Sequence, residues 1–234
     1  VTYDVTGMLR KGDNEIVFWL GSGWYKPSTF GAAYPGPLVR AELDALTPGG
    51  CVSLVRTDGT WKGSSSGYSD YDDWRSSHFG GEIIDASKVP ASMDPETLDK
   101  LSWRDVEVVR IEGIEASQQM CEPCRVLEVV TARSITPAGK DCWLVDFGRV
   151  LNGMLEIRLP SMEKGHKTEA GFRDDRGEED FKPVSRDYYL SSGDPDGDLF
   201  RDKFNHHVFR YVLLQNLPQD RVGISIPVVS DATS

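Results

Sequence analysis

Four groups of residues in this chain have types and spacings that could do chemistry. The pair in Cys121-Glu-Pro-Cys124 has the separation of a redox or zinc-binding dithiol. A redox pair belongs at a strand-to-helix turn, whereas this one runs into an apolar, β-branched segment. A zinc site needs further ligands, and the sequence offers only Cys51, Cys142 and the histidines at 78, 166, 206 and 207. The thiols are therefore expected to be structural or incidental. In SGDPDGDLF (192–200), Asp194, Asp196 and Asp198 alternate as calcium ligands do, but the loop lacks the closing glutamate of an EF-hand. A hairpin turn on Asp196-Gly197 is the simpler account. His206 and His207 precede a strong strand pattern, so their rings should point to opposite faces, each serving core packing or a hydrogen bond rather than one shared ion.

The aromatic residues form the fourth group. A sugar's C–H face packs on Trp or Tyr rings while its hydroxyls bond to neighbouring polar groups. Trp24 and Tyr25 follow the turn LGSG, Trp61 follows TDGT, and Trp74 lies with Tyr68 and Tyr71 in a polar stretch. Each of these rings could equally plug a core. Hydrolysis of a glycosidic bond needs two carboxylates flanking it, and among 37 acidic residues the sequence alone cannot name such a pair. No phosphate-binding P-loop motif is present.

The elements that must position these residues read as strands. Short apolar runs recur between Gly, Pro, Asp and Asn clusters: EIVFWL (15–20), LVRAEL (38–43), CVSLV (51–55), VEVVRI (106–111), RVLEVVTA (125–132), CWLVDF (142–147), MLEIRL (154–159), VFRYVLLQ (208–215) and VGISIPVV (222–229). In MLEIRL, Leu155, Ile157 and Leu159 fall on one face and Met154, Glu156 and Arg158 on the other, the pattern of a half-buried antiparallel strand. Helical periodicity is confined to DVTGMLRKG, capped by Asp4 or Thr6, and to DPETLDKLSW (94–103). Antiparallel strands with one apolar face must cover it, so the expectation is all-β with two packed sheets. Polar, turn-rich residues 64–82 and the connection 86–96 place a domain boundary near residue 95, and residues 163–187 read as a long loop.

The length of 234 residues accommodates two medium domains, and 39% hydrophobic with 27% charged residues is ordinary for a folded protein. Thirty-seven acidic against 26 basic residues give a net charge of −11, which repels a phosphate backbone and argues against a nucleic-acid partner. No apolar run approaches the roughly 18 residues of a membrane span, so no membrane partner is expected. The chain opens on Val1 without a signal-like segment, reads as a trimmed piece of a longer polypeptide, and leaves localisation illegible.

The opening string VTYDVTGMLRKGDNEIVFWLGSGWY resembles the first module of bacterial α-L-rhamnosidases of glycoside hydrolase family 78. Part of it is also similar to the galactose-binding-like jelly rolls of family 2 glycosidases, and the GWY ending narrows the match. Further along, TDGTWKGSSSG and FGGEIIDAS are similar to segments of the same module. CWLVDFGRVLNGMLEIRL and FNHHVFRYVLLQNLP resemble strands of the module that follows it. The sequence departs from the family pattern at Phe79-Gly80, where a Tyr-Asp pair is usual, at Val150, where an Asn is usual, and at Val208, where a Gly is usual.

The resemblance implies two β-sandwich modules, residues 1–95 jelly-roll and galactose-binding-like and residues 96–234 a second sandwich, without the catalytic (α/α)6 barrel. It implies a non-catalytic scaffold, with the downstream barrel of the same polypeptide and rhamnose-containing carbohydrate as partners. Sugar contacts would come from Trp24, Tyr25, Trp61, Trp74, Glu82 and Asp85. No catalytic residue carries over. Some family members bind L-rhamnose with calcium near the Tyr-Asp segment. Loss of that carboxylate removes a hard oxygen ligand, so neither a metal nor another cofactor is expected. A stand-alone carbohydrate-binding module and a glycosidase of another family are the alternatives.

Overall fold

The structure is a computed structural model that describes residues 1–21, 36–71, 80–111, 113, 125–175 and 182–218, together with the backbone of 227–231. The strands are β1 (Glu42–Thr47), β2 (Gly50–Arg56), β3 (Lys62–Gly63), β4 (Tyr68–Tyr71), β5 (Gly81–Asp85), β6 (Arg104–Asp105), β7 (Val126–Thr131), β8 (Ser134–Pro137), β9 (Cys142–Leu159), β10 (Lys167–Arg173), β11 (Ser185–Leu190), β12 (Asp198–Arg201), β13 (His207–Gln215) and β14 (Pro227–Asp231). Helix is limited to a 3-10 turn at Thr6–Met8 and one short helix, α1 (Pro95–Asp99). The chain is thus all-β, as its alternating runs require.

Ten strands form one sheet along the path β4-β5-β11-β10-β13-β9-β14-β7, with β8 and β12 also on β9. The expected runs 142–147 and 154–159 are not two strands but one continuous β9. Gly148, at φ 80°, bends the strand without a turn, and β13 answers with a register shift between Phe209 and Tyr211. The shift sets Asp146–Leu151 of β9 against Phe209–Tyr211 of β13, a bulge that resets which side the neighbouring residues of β13 face. It keeps His207 and Phe209 on the same interior side as Val212 and Leu214, all of them buried. Because β9 is so long, it meets β13 and then β12 along one edge, and β8 and then β14 along the other.

The core lies on the interior face of this sheet. Leu155, Ile157 and Leu159 are buried as the alternation of MLEIRL predicts, with Val145, Phe172, Phe200, Phe209, Val212 and Leu214 around them. Burying each such side chain contributes about 1.5–3 kcal/mol. Antiparallel pairing prevails, but β5 lies parallel to β11 through Tyr188–Ile83, Tyr189–Ile84 and Leu190–Asp85. Strands β4 and β5, from residues 68–85, are therefore hydrogen-bonded into the sheet built by residues 126–231.

The remaining described residues carry less pairing. Strands β1 and β2 form a separate hairpin, and β3 pairs β6 over two residues. The runs 15–20 and 106–111, read as strands from their composition, lie outside any strand. In the first of them the aromatic rings dock on other rings: Phe18 stacks on Trp61, and Trp19 meets Tyr68 edge-on. Helix α1 forms where expected. Asp94 caps it by accepting from the Thr97 amide at 2.9 Å, and Pro95 occupies the first turn, where its missing N–H is not needed. Asp4 accepts from the Thr6 amide at 2.9 Å and so anchors the 3-10 turn. No described helix is long and apolar enough to cross a membrane.

Candidate functional site

The most concentrated chemistry lies inside the large sheet, where β5, β11, the residue after β12 and the start of β13 each contribute an ionisable group. Glu82, Asp187, Asp202 and His207 are 3%, 0%, 2% and 3% exposed. The Glu82 amide donates to Asp187 Oδ1 at 2.6 Å, and its own carboxylate accepts from the backbone amides of Lys203 at 2.7 Å and Phe204 at 2.8 Å. Asp187 Oδ2 lies 2.6 Å from His207 Nε2, and His207 Nδ1 lies 2.8 Å from Ser185 Oγ. Asp202 Oδ2 accepts from the Leu155 amide at 2.7 Å, while its Oδ1 has no hydrogen-bond partner. The His207 ring stacks on Phe172 at 3.9 Å between centroids, which fixes its plane.

Burial dominates the acid–base properties of these groups, because taking a charge out of water disfavours the charged form. Desolvation pushes Glu82 up to about 7, outweighing the backbone amides that bond its carboxylate. It raises Asp187 as well, against the Glu82 amide and a hydrogen bond available from the Asp202 carboxyl. Asp202 lies well above the usual carboxylate range, through desolvation first and the neighbouring Asp187 charge second. His207 is held down to about 4 by desolvation, so its ring is neutral at ordinary pH. In a retaining or inverting glycosidase the two carboxylates flank a bond that substrate brings in from solvent. These carboxylates are buried in the interior of the sheet, among the described residues, rather than on a surface that meets solvent.

A second polar anchor closes the loop before β12. Asp198 accepts from Ser191 Oγ at 2.6 Å, Ser192 N at 3.1 Å and Ser192 Oγ at 2.5 Å. Gly197, at φ 82°, makes the turn, and its amide bonds the Asp194 carbonyl at 3.0 Å. The acid triplet 194–198 therefore builds a turn but not the expected hairpin, because β12 pairs with β9 rather than with β11, and Asp198 points inward.

Of the residues expected to contact sugar, Trp24, Tyr25 and Trp74 lie outside the described residues, as do Cys121 and Cys124. Trp61 is half-buried, donates its indole N–H to the Arg56 carbonyl at 3.0 Å, and lines a cleft of about 790 Å3 with Phe18, Trp19 and Trp103. Glu82 is in the buried cluster and does not line that cleft. Asp85 ends β5, accepts from the Ser87 amide and hydroxyl at 3.2 and 2.7 Å, and pairs with Lys88 at 2.7 Å. The structure thus brings together Glu82 with Asp187, Asp202 and His207, three residues that sequence reasoning did not assemble. The one available signal was that His207 should face away from His206, and indeed His206 is exposed and His207 buried.

Fold and site together define an all-β, sandwich-type protein whose ionisable centre lies buried in the sheet's interior. Residues 1–128 match the family model of the alpha-L-rhamnosidase N-terminal domain, and residues 136–230 match that of the bacterial alpha-L-rhamnosidase concanavalin-like domain. The chain belongs to the alpha-L-rhamnosidase N-terminal domain family, continued by the concanavalin-like domain. Among curated relatives, an alpha-L-rhamnosidase of Alteromonas sp. strain LOR is 24% identical over 99% of this chain and 26% of its own length. One from Formosa agariphila is 25% identical over 93% of this chain and 24% of its own length. The chain thus spans about a quarter of the length of the curated relatives it matches. Among solved structures, the alpha-L-rhamnosidase from Dictyoglumus thermophilum superposes with a TM-score of 0.67 at 17% identity, over 86% of this chain and 23% of that one. The Streptomyces avermitilis alpha-L-rhamnosidase complexed with L-rhamnose gives 0.66 at 19% identity, over 83% and 19%. These structural likenesses establish the β fold.

Proposed function

We propose that the chain is the non-catalytic front of an α-L-rhamnosidase and acts as a rigid scaffold for a catalytic barrel in the same polypeptide, which hydrolyses terminal α-L-rhamnosyl bonds. The observation that carries this reading is the ordered match of both halves to rhamnosidase modules over only a quarter of the relatives' length. The sealing of the carboxylate cluster supports it, since a buried ionisable centre suits holding β5, β11 and β13 together rather than turning over substrate. The division into modules 1–95 and 96–234 is part of the proposal, with β4 and β5 crossing into the larger sheet. The test is release of L-rhamnose from a terminal α-L-rhamnoside by the full-length polypeptide that contains this chain. Activity toward a different glycoside, with none toward rhamnosides, would overturn the assignment.

A second reading, carbohydrate binding by the first module, is favoured by the aromatic cleft at Trp61. Rings at Phe18, Trp19, Trp61 and Trp103 share that cleft with the polar residues Asp58, Lys62 and Arg104, the mixture a sugar ring requires. Titration with L-rhamnose should then change tryptophan fluorescence and lose the change on Trp61→Ala. An unchanged signal at saturating sugar would leave the scaffold role alone.

A further inference from the structure

We propose that Asp187, Asp202 and His207 form a structural site for a divalent cation of the zinc type, loaded as the chain folds. One ligand atom from each lies within 4.8 Å of the others, and all three residues are buried. Two carboxylate oxygens and an imidazole nitrogen are a donor set that suits zinc and its first-row neighbours. The decisive feature is Asp202 Oδ1, a carboxylate oxygen on a residue 2% exposed that no N–H or hydroxyl donor meets, its polar neighbour being the Asp187 carboxyl. Beside a second buried carboxylate, such an oxygen is tolerable only with a proton or a cation between them.

The surrounding bonds are those of a metal site's supporting shell. The non-ligating oxygens are already held, Asp187 Oδ1 by the Glu82 amide and Asp202 Oδ2 by the Leu155 amide. Ser185 Oγ occupies His207 Nδ1, so that with Nδ1 protonated the Nε2 lone pair faces the two carboxylates, and Phe172 fixes the ring plane. No Lys or Arg side chain bonds to any of the three ligands among the described residues. A divalent ion would therefore neutralise two anionic ligands that otherwise need protons. Because the ligands come from β11, the residue after β12, and β13, the ion would tie together three strands that follow one another in the chain. Full burial closes the route in from solvent, so binding is coupled to folding.

The full chain, unfolded in urea with chelator and refolded with Zn2+, Co2+ or chelator alone, tests this. The proposal expects about one tightly held ion per chain, a visible Co2+ spectrum of low-symmetry nitrogen–oxygen coordination, and a higher melting temperature with metal. Ser185→Ala keeps all three ligands and should weaken binding about 10–100-fold, while Asp202→Asn should abolish it. A Cys121→Ser/Cys124→Ser double variant and His206→Gln should bind as the parent does. Retention of metal by Ser185→Ala and Asp202→Asn, or its loss in the cysteine variant, would place the ion elsewhere and overturn the site. Identical melting with metal and with chelator would overturn it too, leaving a shared proton between the two aspartates. Failure of the site leaves the rhamnosidase scaffold reading intact, because that reading is tested by the full-length enzyme's activity.

Discussion

Glu82→Gln is the substitution that most sharply separates the two forces acting on the buried cluster. The parent carboxylate accepts from the Lys203 and Phe204 amides at 2.7 and 2.8 Å. A protonated carboxyl still offers its hydroxyl oxygen as a second acceptor, whereas an amide offers one acceptor oxygen and turns its NH2 toward the other backbone N–H, leaving that donor unmet at a cost of about 1–3 kcal/mol. Opposing this, Glu82 titrates near 7 in the folded protein because burial outweighs those amides. From the ordinary glutamate value of 4.5 to about 7 is a rise worth roughly 3 kcal/mol at about 1.4 kcal/mol per pH unit. A raised carboxyl pKa means the folded state holds the proton longer than the unfolded state. Its contribution is complete below 4.5 and is lost as the pH climbs through 7. Glutamine does not titrate.

The parent should therefore exceed the variant by about 1–3 kcal/mol near pH 4.5, a melting difference of about 2–10 °C for a chain of this size. The gap should close, or reverse, by pH 8.5. Paired thermal and urea melts in chelating buffer at the two pH values measure it. A gap that widens with pH would show the amides winning over desolvation, and would refute the reasoning.

Other outcomes follow from the same geometry. A Cβ on Gly81 would overlap the Arg186 carbonyl across the parallel β5–β11 pairing, so Gly81→Ala should cost more than about 3 kcal/mol in a urea melt; a cost below about 1 kcal/mol would contradict that close approach. Asp198→Asn removes charged acceptance from Ser191 and Ser192 and should cost about 1–3 kcal/mol, with faster amide exchange confined to residues 191–198; unchanged exchange there would show the loop is held by other contacts. Because β4 and β5 pair into the large sheet, residues 96–234 alone should melt below residues 64–234; equal melting would show that those strands add nothing to the larger unit.

Much of the fold was legible because strand alternation is a local signal. MLEIRL declares its buried face by period alone, and Asp94-Pro95 declares a helix start by capping chemistry. What could not be read was partner availability. EIVFWL and VEVVRI have strand composition, yet β propensity reports fitness for a pleated surface and does not supply a neighbouring strand. The fusion of two runs into β9 hinges on Gly148 bending rather than turning, a choice set by the register of β13.

The buried cluster was illegible for the same reason. Asp187, Asp202 and His207 have no motif spacing; Asp187 and His207 meet because β10 pairs β11 on one side and β13 on the other, and Asp202 joins them because β12 and β13 both pair β9. Glu82 was singled out through the family segment FGGEIIDAS. The parallel β5–β11 pairing, which a sequence cannot announce, is what carries it to Asp187.

The most direct measurement is hydrolysis of an aryl α-L-rhamnoside by this chain, purified alone, beside the full-length polypeptide. A scaffold with its carboxylates sealed in the sheet predicts release at the buffer rate from the chain and turnover only from the full-length protein. Sustained turnover by the chain, on the order of 1 s−1 or faster, would contradict it.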